Sequence, residues 1–270
     1  MAQTFIFLTA SSGNLIVPDG CTGFDFIDAI SAGANGQPSY GGAYGFNTHG
    51  GGGGAGGGFA RKNNVVVSPG QSLPYYVATI GGYNYTGIMI GGSWVCLSYS
   101  AVGMTPGYGS IGDVKHTGGY GAYGTEGIAG DGVSGGPGGG GGGCAGPNGN
   151  GINANGPLGG AGDNYSGGAP GAPSYYAGAP GLMGHEYGAP AGCGGGGSSA
   201  TGWNDQYFTG PAGCDGGWYG AGGSGAMGAF GMSSQGYAGP GGIAKQGLLA
   251  LAYTPYVAPP SSLLLHGRLR

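Results

Sequence analysis

Four histidines, His49, His116, His185 and His266, are the side chains best suited to acid–base or metal chemistry, and they stand in four separate segments. None lies at the spacing of a zinc site or beside a nucleophile signature. His185–Glu186 is the nearest acid–base pairing, but sequence neighbours seldom project to one point. Five cysteines (Cys21, Cys96, Cys144, Cys193, Cys214) are widely spaced and form no C-x-x-C pair. They read as small buried thiols, not as a disulfide framework, a structural zinc site or a catalytic thiol. These residues predict no enzyme, no metal and no cofactor. The remaining chemistry is aromatic. Tyr175, Tyr176 and Tyr187, then Trp203, Tyr207 and Phe208, then Trp218 and Tyr219 sit among Asn, Ser and Gly, a composition shared with antibody-type paratopes. They are candidate receptor contacts; the alternative is that the rings only shield a scaffold.

The elements that must hold these rings have an unusual composition. Glycine supplies 77 of 270 residues and charged residues only 6%, against about 7% and about 25% in average chains. Few alkyl groups are left for a core spread evenly along the chain, and each glycine in a helix costs about 1 kcal/mol relative to alanine. Collagen is excluded, because glycine does not recur strictly every third residue. Ordinary disorder favours high charge and few aromatics, whereas aromatics here reach 11% and mean hydropathy is −0.01. A net charge of −4 leaves no footprint for nucleic acid; Arg61–Lys62 is the only adjacent basic pair before the tail. No apolar run is long enough to span a membrane, and the start MAQTFIFLTASSG has no basic region of a secretory signal.

Glycine is concentrated. Residues 1–32 contain three and residues 243–270 two, so 72 of the 77 lie between 33 and 242. The glycine-poor ends read as strands: 4–8, 14–17, 24–30 and 248–253, with further strands at 59–67, 74–80, 87–90 and 94–99. In 24–30, alternation puts Phe24, Phe26, Asp28 and Ile30 on one face and Asp25, Ile27 and Ala29 on the other, both partly covered. Pro69–Gly70 marks a turn and Gly91–Gly92 a two-residue hairpin. The division expected is 1–100, N-terminal strands with a first glycine block; 101–242, a glycine body with aromatic loops; 243–256, a closing strand; and 257–270, a tail.

A body without side chains must be held by its backbone. Polyproline II has about three residues per turn and no internal hydrogen bonds, so its amides and carbonyls can bond sideways, and glycine lets neighbouring chains approach closely. Ordering a residue costs about 1–2 kcal/mol and a hydrogen bond returns about 0.5–1.5 kcal/mol net. Such a body therefore needs nearly every backbone group paired and its ends clamped. The fold class expected is all-β and irregular, with almost no α-helix: a small β module from the terminal strands clamping packed polyglycine rods.

Three separated stretches carry a resemblance. Leu15-Ile16-Val17-Pro18-Asp19-Gly20-Cys21-Thr22 through Ala34 resembles the opening of glycine-rich domains of bacteriophage tail-fibre and other virion proteins. Gly56-Gly57-Gly58-Phe59-Ala60-Arg61-Lys62, Val65-Val66-Val67-Ser68-Pro69-Gly70-Gln71 and Tyr76-Val77-Ala78-Thr79-Ile80-Gly81-Gly82 resemble its second stage. Gly239-Pro240-Gly241-Gly242-Ile243, with 248–254, resembles its close. More distantly the body is similar to the tip adhesins of T-even-like long tail fibres, in which loops at the ends of polyglycine rods contact host receptors. The resemblance implies a virion location, a receptor-binding tip, other virion proteins as partners, a host surface protein or glycan as receptor, and a homo-oligomer or larger assembly. The fibre-attachment helix region of those adhesins has no counterpart here, and a tail follows residue 256. That tail, with Leu263, Leu264 and Leu265, is a candidate virion anchor, and it supports the rival reading of a decoration, spike or connector protein without receptor contact. Ice binding would want regular Thr or Ala rows, and silk-like proteins simple tandem repeats; neither pattern is apparent.

Overall fold

The computed structural model describes residues 2–40, 48–127, 136–174, 178–188, 191–200, 212–227 and 239–256. The strands are β1 (Thr4–Leu8), β2 (Ser12–Ile16), β3 (Gly23–Ile30), β4 (Thr48–His49), β5 (Phe59–Val66), β6 (Ser72–Tyr76), β7 (Tyr85–Ile90), β8 (Ser93–Tyr99), β9 (Tyr108–Ile111), β10 (Val114–His116), β11 (Glu126–Gly127) and β12 (Leu248–Tyr253). The only helical turn among the described residues is the short 3-10 segment Asp163–Tyr165. The protein is all-β, and no helix among the described residues is long and apolar enough to cross a membrane.

Two five-stranded antiparallel sheets stack. The first has the order β1-β12-β3-β5-β10 and the second β2-β6-β7-β8-β9. Between them lies the larger core, in which Phe24, Ile27, Leu249 and Leu251 of the first sheet meet Leu73, Tyr75, Ile88 and Cys96 of the second. The opposite face of the first sheet packs on the glycine body: Ile30, Phe59, Leu248 and Ala250 cluster with Cys144, Ala145, Tyr187, Ala191 and Cys193. Central strand β12 is consequently buried along its whole length.

The turns follow the expected chemistry. Gly70 has φ +75°, and Gly91 and Gly92, at +59° and +79°, close the β7–β8 hairpin. Several expectations need correction. The strand expected at 74–80 begins at Ser72 and stops at Tyr76. Beyond it the Ala78 amide donates to the Thr86 hydroxyl at 3.0 Å instead of to a strand partner. β9 and β10 were not foreseen, and both lie beyond the 1–100 segment assigned to strands. Phe24 does not share the face of Phe26, Asp28 and Ile30; it joins Ile27 and Ala29 in the inter-sheet core. The alternation slips at Asp25, opposite Asn64 of β5, whose left-handed φ of +52° shifts both strands by one side chain.

The glycine body is a set of laterally bonded rods. Along 50–57, the amides of Gly50, Gly53 and Gly56 donate to the carbonyls of Thr125, Ala122 and Gly119. Those of Gly51, Gly54 and Gly57 donate to Ala226, Gly223 and Gly220. A partner that recurs every third residue is the signature of the polyproline II turn. Rod 137–145 is bonded in this way to 51–57, 119–125, 152–156, 160–163, 194–197 and 222–225, the hexagonal surroundings of a polyglycine lattice with both parallel and antiparallel neighbours.

Sheet and lattice are one continuous structure. The last β3–β5 pair, Ile30 with Phe59, is followed by Ser31 to Gly58, Ala34 to Ala55 and Gln37 to Gly52 in unbroken register. The β12–β3 pairing runs on through Gly33 to Lys245, Gly36 to Gly242 and Ser39 to Gly239. The β5–β10 pairing passes from Phe59 with His116 to Gly56 with Gly119. At each crossing, bonding switches from a two-residue to a three-residue period.

Candidate functional site

Three of the eight aromatic residues singled out from sequence, Tyr187, Trp218 and Tyr219, fall among the described residues. Tyr175, Tyr176, Trp203, Tyr207 and Phe208 lie outside the described residues, as do Leu263, Leu264 and Leu265. Tyr187 is not a surface ring. Its hydroxyl donates to Asp28 Oδ2 at 2.7 Å, and its ring packs against Phe5 and Phe7. Trp218 is 41% exposed, with the ammonium of Lys245 5.4 Å from its ring centroid. Tyr219 packs edge-on against Trp218 and reaches the cluster beneath the first sheet. Only Trp218 among the described candidates is open to a partner.

Tyr187 belongs to a polar staple between sheet and lattice. Arg61 of β5 donates from Nε and Nη2 to the two carboxylate oxygens of Asp28 of β3, each at 2.6 Å, and Asp28 is fully buried. The guanidinium lies 4.2 Å from the ring centroid of Phe26. Burial pushes the Asp28 carboxyl up, against the opposing pull of the Arg61 and Tyr187 hydrogen bonds. Lys62, the other half of the basic pair, is bonded to Asp113 at 2.6 Å.

Beside the staple opens a cleft of about 510 Å³ lined by Gln3, Arg61, Asn148, His185, Glu186 and Tyr187, among others. The adjacent pair His185–Glu186 thus does reach one cavity wall. Glu186 accepts the Cys193 amide through Oε2 at 3.0 Å, while its Oε1 is buried with no hydrogen-bond partner. Desolvation, with the nearby Asp163 carboxylate adding to it, raises its pKa to about 7. Asp163 is fully buried and accepts the amides of Asn148 and Gly149 and the Asn148 side-chain amide. Asp163, Asn164 and Tyr165 are consecutive non-glycine residues with left-handed φ of +43°, +51° and +70°, so the lattice holds a strained turn at this cleft.

A raised carboxyl pKa means that the folded state binds the proton more tightly than the unfolded chain. Its stabilising share is complete below about pH 4.5 and is lost as pH rises through about 7. After discounting for partial exposure, thermal stability should fall by about 1–2 kcal/mol between those limits. Melting curves of Glu186→Gln should lack that slope; an unchanged slope would place its origin elsewhere.

A further aromatic surface, with Tyr83 and Tyr108 exposed and its other rings half-buried, lies in a region that the sequence shows only as strands. Tyr76 of β6, Tyr85 of β7, Trp94 and Tyr99 of β8, Tyr108 of β9 and the loop residue Tyr83 form a connected run on the outer face of the second sheet. Ring centroids are 5.6 Å apart for Tyr76–Trp94, 5.5 Å for Tyr85–Trp94, 6.4 Å for Tyr85–Tyr99 and 5.2 Å for Tyr99–Tyr108. Tyr83 closes on Tyr76 at 5.0 Å. Gly87 makes room for this: a Cβ there would sit 3.0 Å from the Trp94 ring. The inward face is fixed on Leu73, Ile88 and Cys96 of the core. Between Lys62 and Asp113 the chain has no Asp, Glu, Lys, Arg or His. That charge-free stretch, with aromatics recurring in successive strands, was the signal available in the sequence.

No protein-family model and no curated protein matches the chain.

Proposed function

We propose that this chain is a structural component of a bacteriophage virion, a tail-fibre or spike protein that serves as a receptor-binding tip. The observation that carries the reading is a connected, partly exposed aromatic face on a sheet whose inner side is fixed in the inter-sheet core. Stiff rings on a preorganised scaffold give contact area at low entropy cost. The resemblance of 15–34, 56–82 and 239–254 to virion glycine-rich domains supports the same location. The outer face of the second sheet joins the exposed Trp218 and the loop aromatics Tyr175, Tyr176, Trp203, Tyr207 and Phe208 as candidate contacts. In this reading the chain binds and does not catalyse, and it assembles with other virion proteins or with further copies of itself.

The rival reading keeps the virion but makes the chain a connector or decoration protein anchored by Leu263, Leu264 and Leu265. Two measurements separate the readings. Mass spectrometry of purified particles should detect the chain; its absence would refute both. Purified protein added in excess should slow adsorption of particles to host cells, and truncation after Tyr256 should leave that competition intact. Particle incorporation lost on truncation, with no competition by the full chain, would favour the connector.

A further inference from the structure

We propose that the outer face of the second sheet is a binding site for an uncharged polysaccharide, with pyranose rings stacked along Trp94, Tyr85, Tyr99 and Tyr108. This rests on the reading of that face as the binding surface and names the ligand it takes.

The chemistry of the face selects the ligand. A pyranose ring presents a patch of C–H groups on its face and hydroxyls around its rim. The negative face of an aromatic ring attracts the C–H patch, and the phenol and indole tips supply hydrogen bonds. Tyr85, Tyr99 and Tyr108 are cross-strand partners on β7, β8 and β9 with centroids 6.4 and 5.2 Å apart, a spacing close to that of successive sugars, and Trp94 stands beside Tyr85 at 5.5 Å. The rings are not a flat apolar plate. Tyr85 and Trp94 meet at 79° and Tyr76 and Tyr83 at 77°, so edges and hydroxyls project between ring faces. A corrugated surface of this kind suits a chain of hydroxylated rings better than the flat apolar patch of a second protein copy.

Charge narrows the class. No strand of the second sheet carries Asp, Glu, Lys, Arg or His, so the sheet offers no counter-charge to a sulfated, carboxylated or phosphorylated glycan. Burial and the surrounding Tyr76, Tyr83 and Tyr99 raise the Tyr85 phenol above its ordinary pKa, so it stays a neutral donor. Two shallow clefts border the run. One of about 250 Å³ is lined by Ser12, Asn14, Tyr76 and Tyr83. The other, of about 290 Å³, is lined by Thr79, Tyr83, Asn84 and Ser100. Their amides and hydroxyls are the groups that fix sugar hydroxyls in place without charge.

The test is affinity electrophoresis of the full chain in gels containing dextran, a β-glucan, a mannan or a galactan, with polygalacturonate as the anionic control. At least one neutral polymer should retard the protein and polygalacturonate should not. Trp94→Ala should weaken retardation about tenfold or more, Trp94→Phe should preserve most of it, and Tyr108→Ala, at a half-exposed ring, should weaken it several-fold while leaving the melting temperature unchanged. Retardation by none of the neutral polymers, stronger retardation by polygalacturonate, or folded Trp94→Ala and Tyr108→Ala variants that bind like the parent would each overturn the proposal. So would a dimer in sedimentation that Trp94→Ala dissolves, which would make the occupant a second copy. Sugar binding by a chain absent from purified particles would refute the virion reading and leave this one standing.

Discussion

Gly54→Ala should cost about 4 kcal/mol or more and lower the melting temperature by about 10 °C or more, among the largest effects of any single methyl in this chain. A Cβ at Gly54 would be driven into the carbonyl of Ala34, a backbone group that cannot swing aside. Rod 50–57 cannot slide away either, because its amides are bonded to 119–125 on one side and 220–226 on another. The comparison that gives the prediction its force is one residue away. Ala55 is fully buried and its methyl is already accommodated, so Ala55→Gly should cost only about 1 kcal/mol. Gly91→Ala, at a left-handed turn with open space around it, should also cost about 1 kcal/mol. Calorimetry of the three variants ranks them directly, and a Gly54→Ala melt indistinguishable from the parent would overturn the close-packed rod arrangement.

Arg61→Met should cost about 3–5 kcal/mol, because it strands the fully buried carboxylate of Asp28. The loss arises from the unpaired charge more than from the missing attraction. Adding Asp28→Asn to Arg61→Met should therefore recover much of it. The deficit of Arg61→Met should also shrink as pH falls, since protonation removes the stranded charge. Tyr187→Phe removes only the third hydrogen bond and should cost about 1 kcal/mol. Denaturant melts of the two single variants and the pair test this. A double variant as unstable as Arg61→Met alone would show that packing of the arginine stem on Phe26, not charge, holds the staple.

Much of the fold is legible where side chains carry the information. Leu248–Tyr253 and Thr4–Leu8 are short apolar runs between turn residues, and Gly91–Gly92 sits where a tight hairpin needs two left-handed residues. β9 and β10 are not legible. Tyr108–Ile111 is interrupted by glycine and Val114–His116 is three residues long, so each is a strand only through its partner, β8 or β5. Phe24 was misplaced because alternation assumes an unbroken ladder, and the left-handed Asn64 breaks it. Tyr187 illustrates the limit for sites. Its sequence neighbours are His185, Glu186, Gly188 and Ala189, the setting of a polar loop tip, and the carboxylate that captures it lies 159 residues away. The aromatic face went unseen for the reverse reason. Its rings sit inside recognisable strands, where an aromatic is the ordinary filling of a core, and only the pairing of four strands shows them turned the same way.

The unbroken register from sheet into lattice also sets a rule of length. A residue inserted in 50–58 would rotate every amide beyond it away from its partner rod, just as a single-base insertion scrambles a reading frame. Three residues would restore the phase and lengthen the rod by about 9 Å. A rod bonded on several sides could grow only if its neighbours grew with it. Homologous chains should therefore differ in rod length by whole turns, several rods at once, while the segments joining rod ends vary one residue at a time.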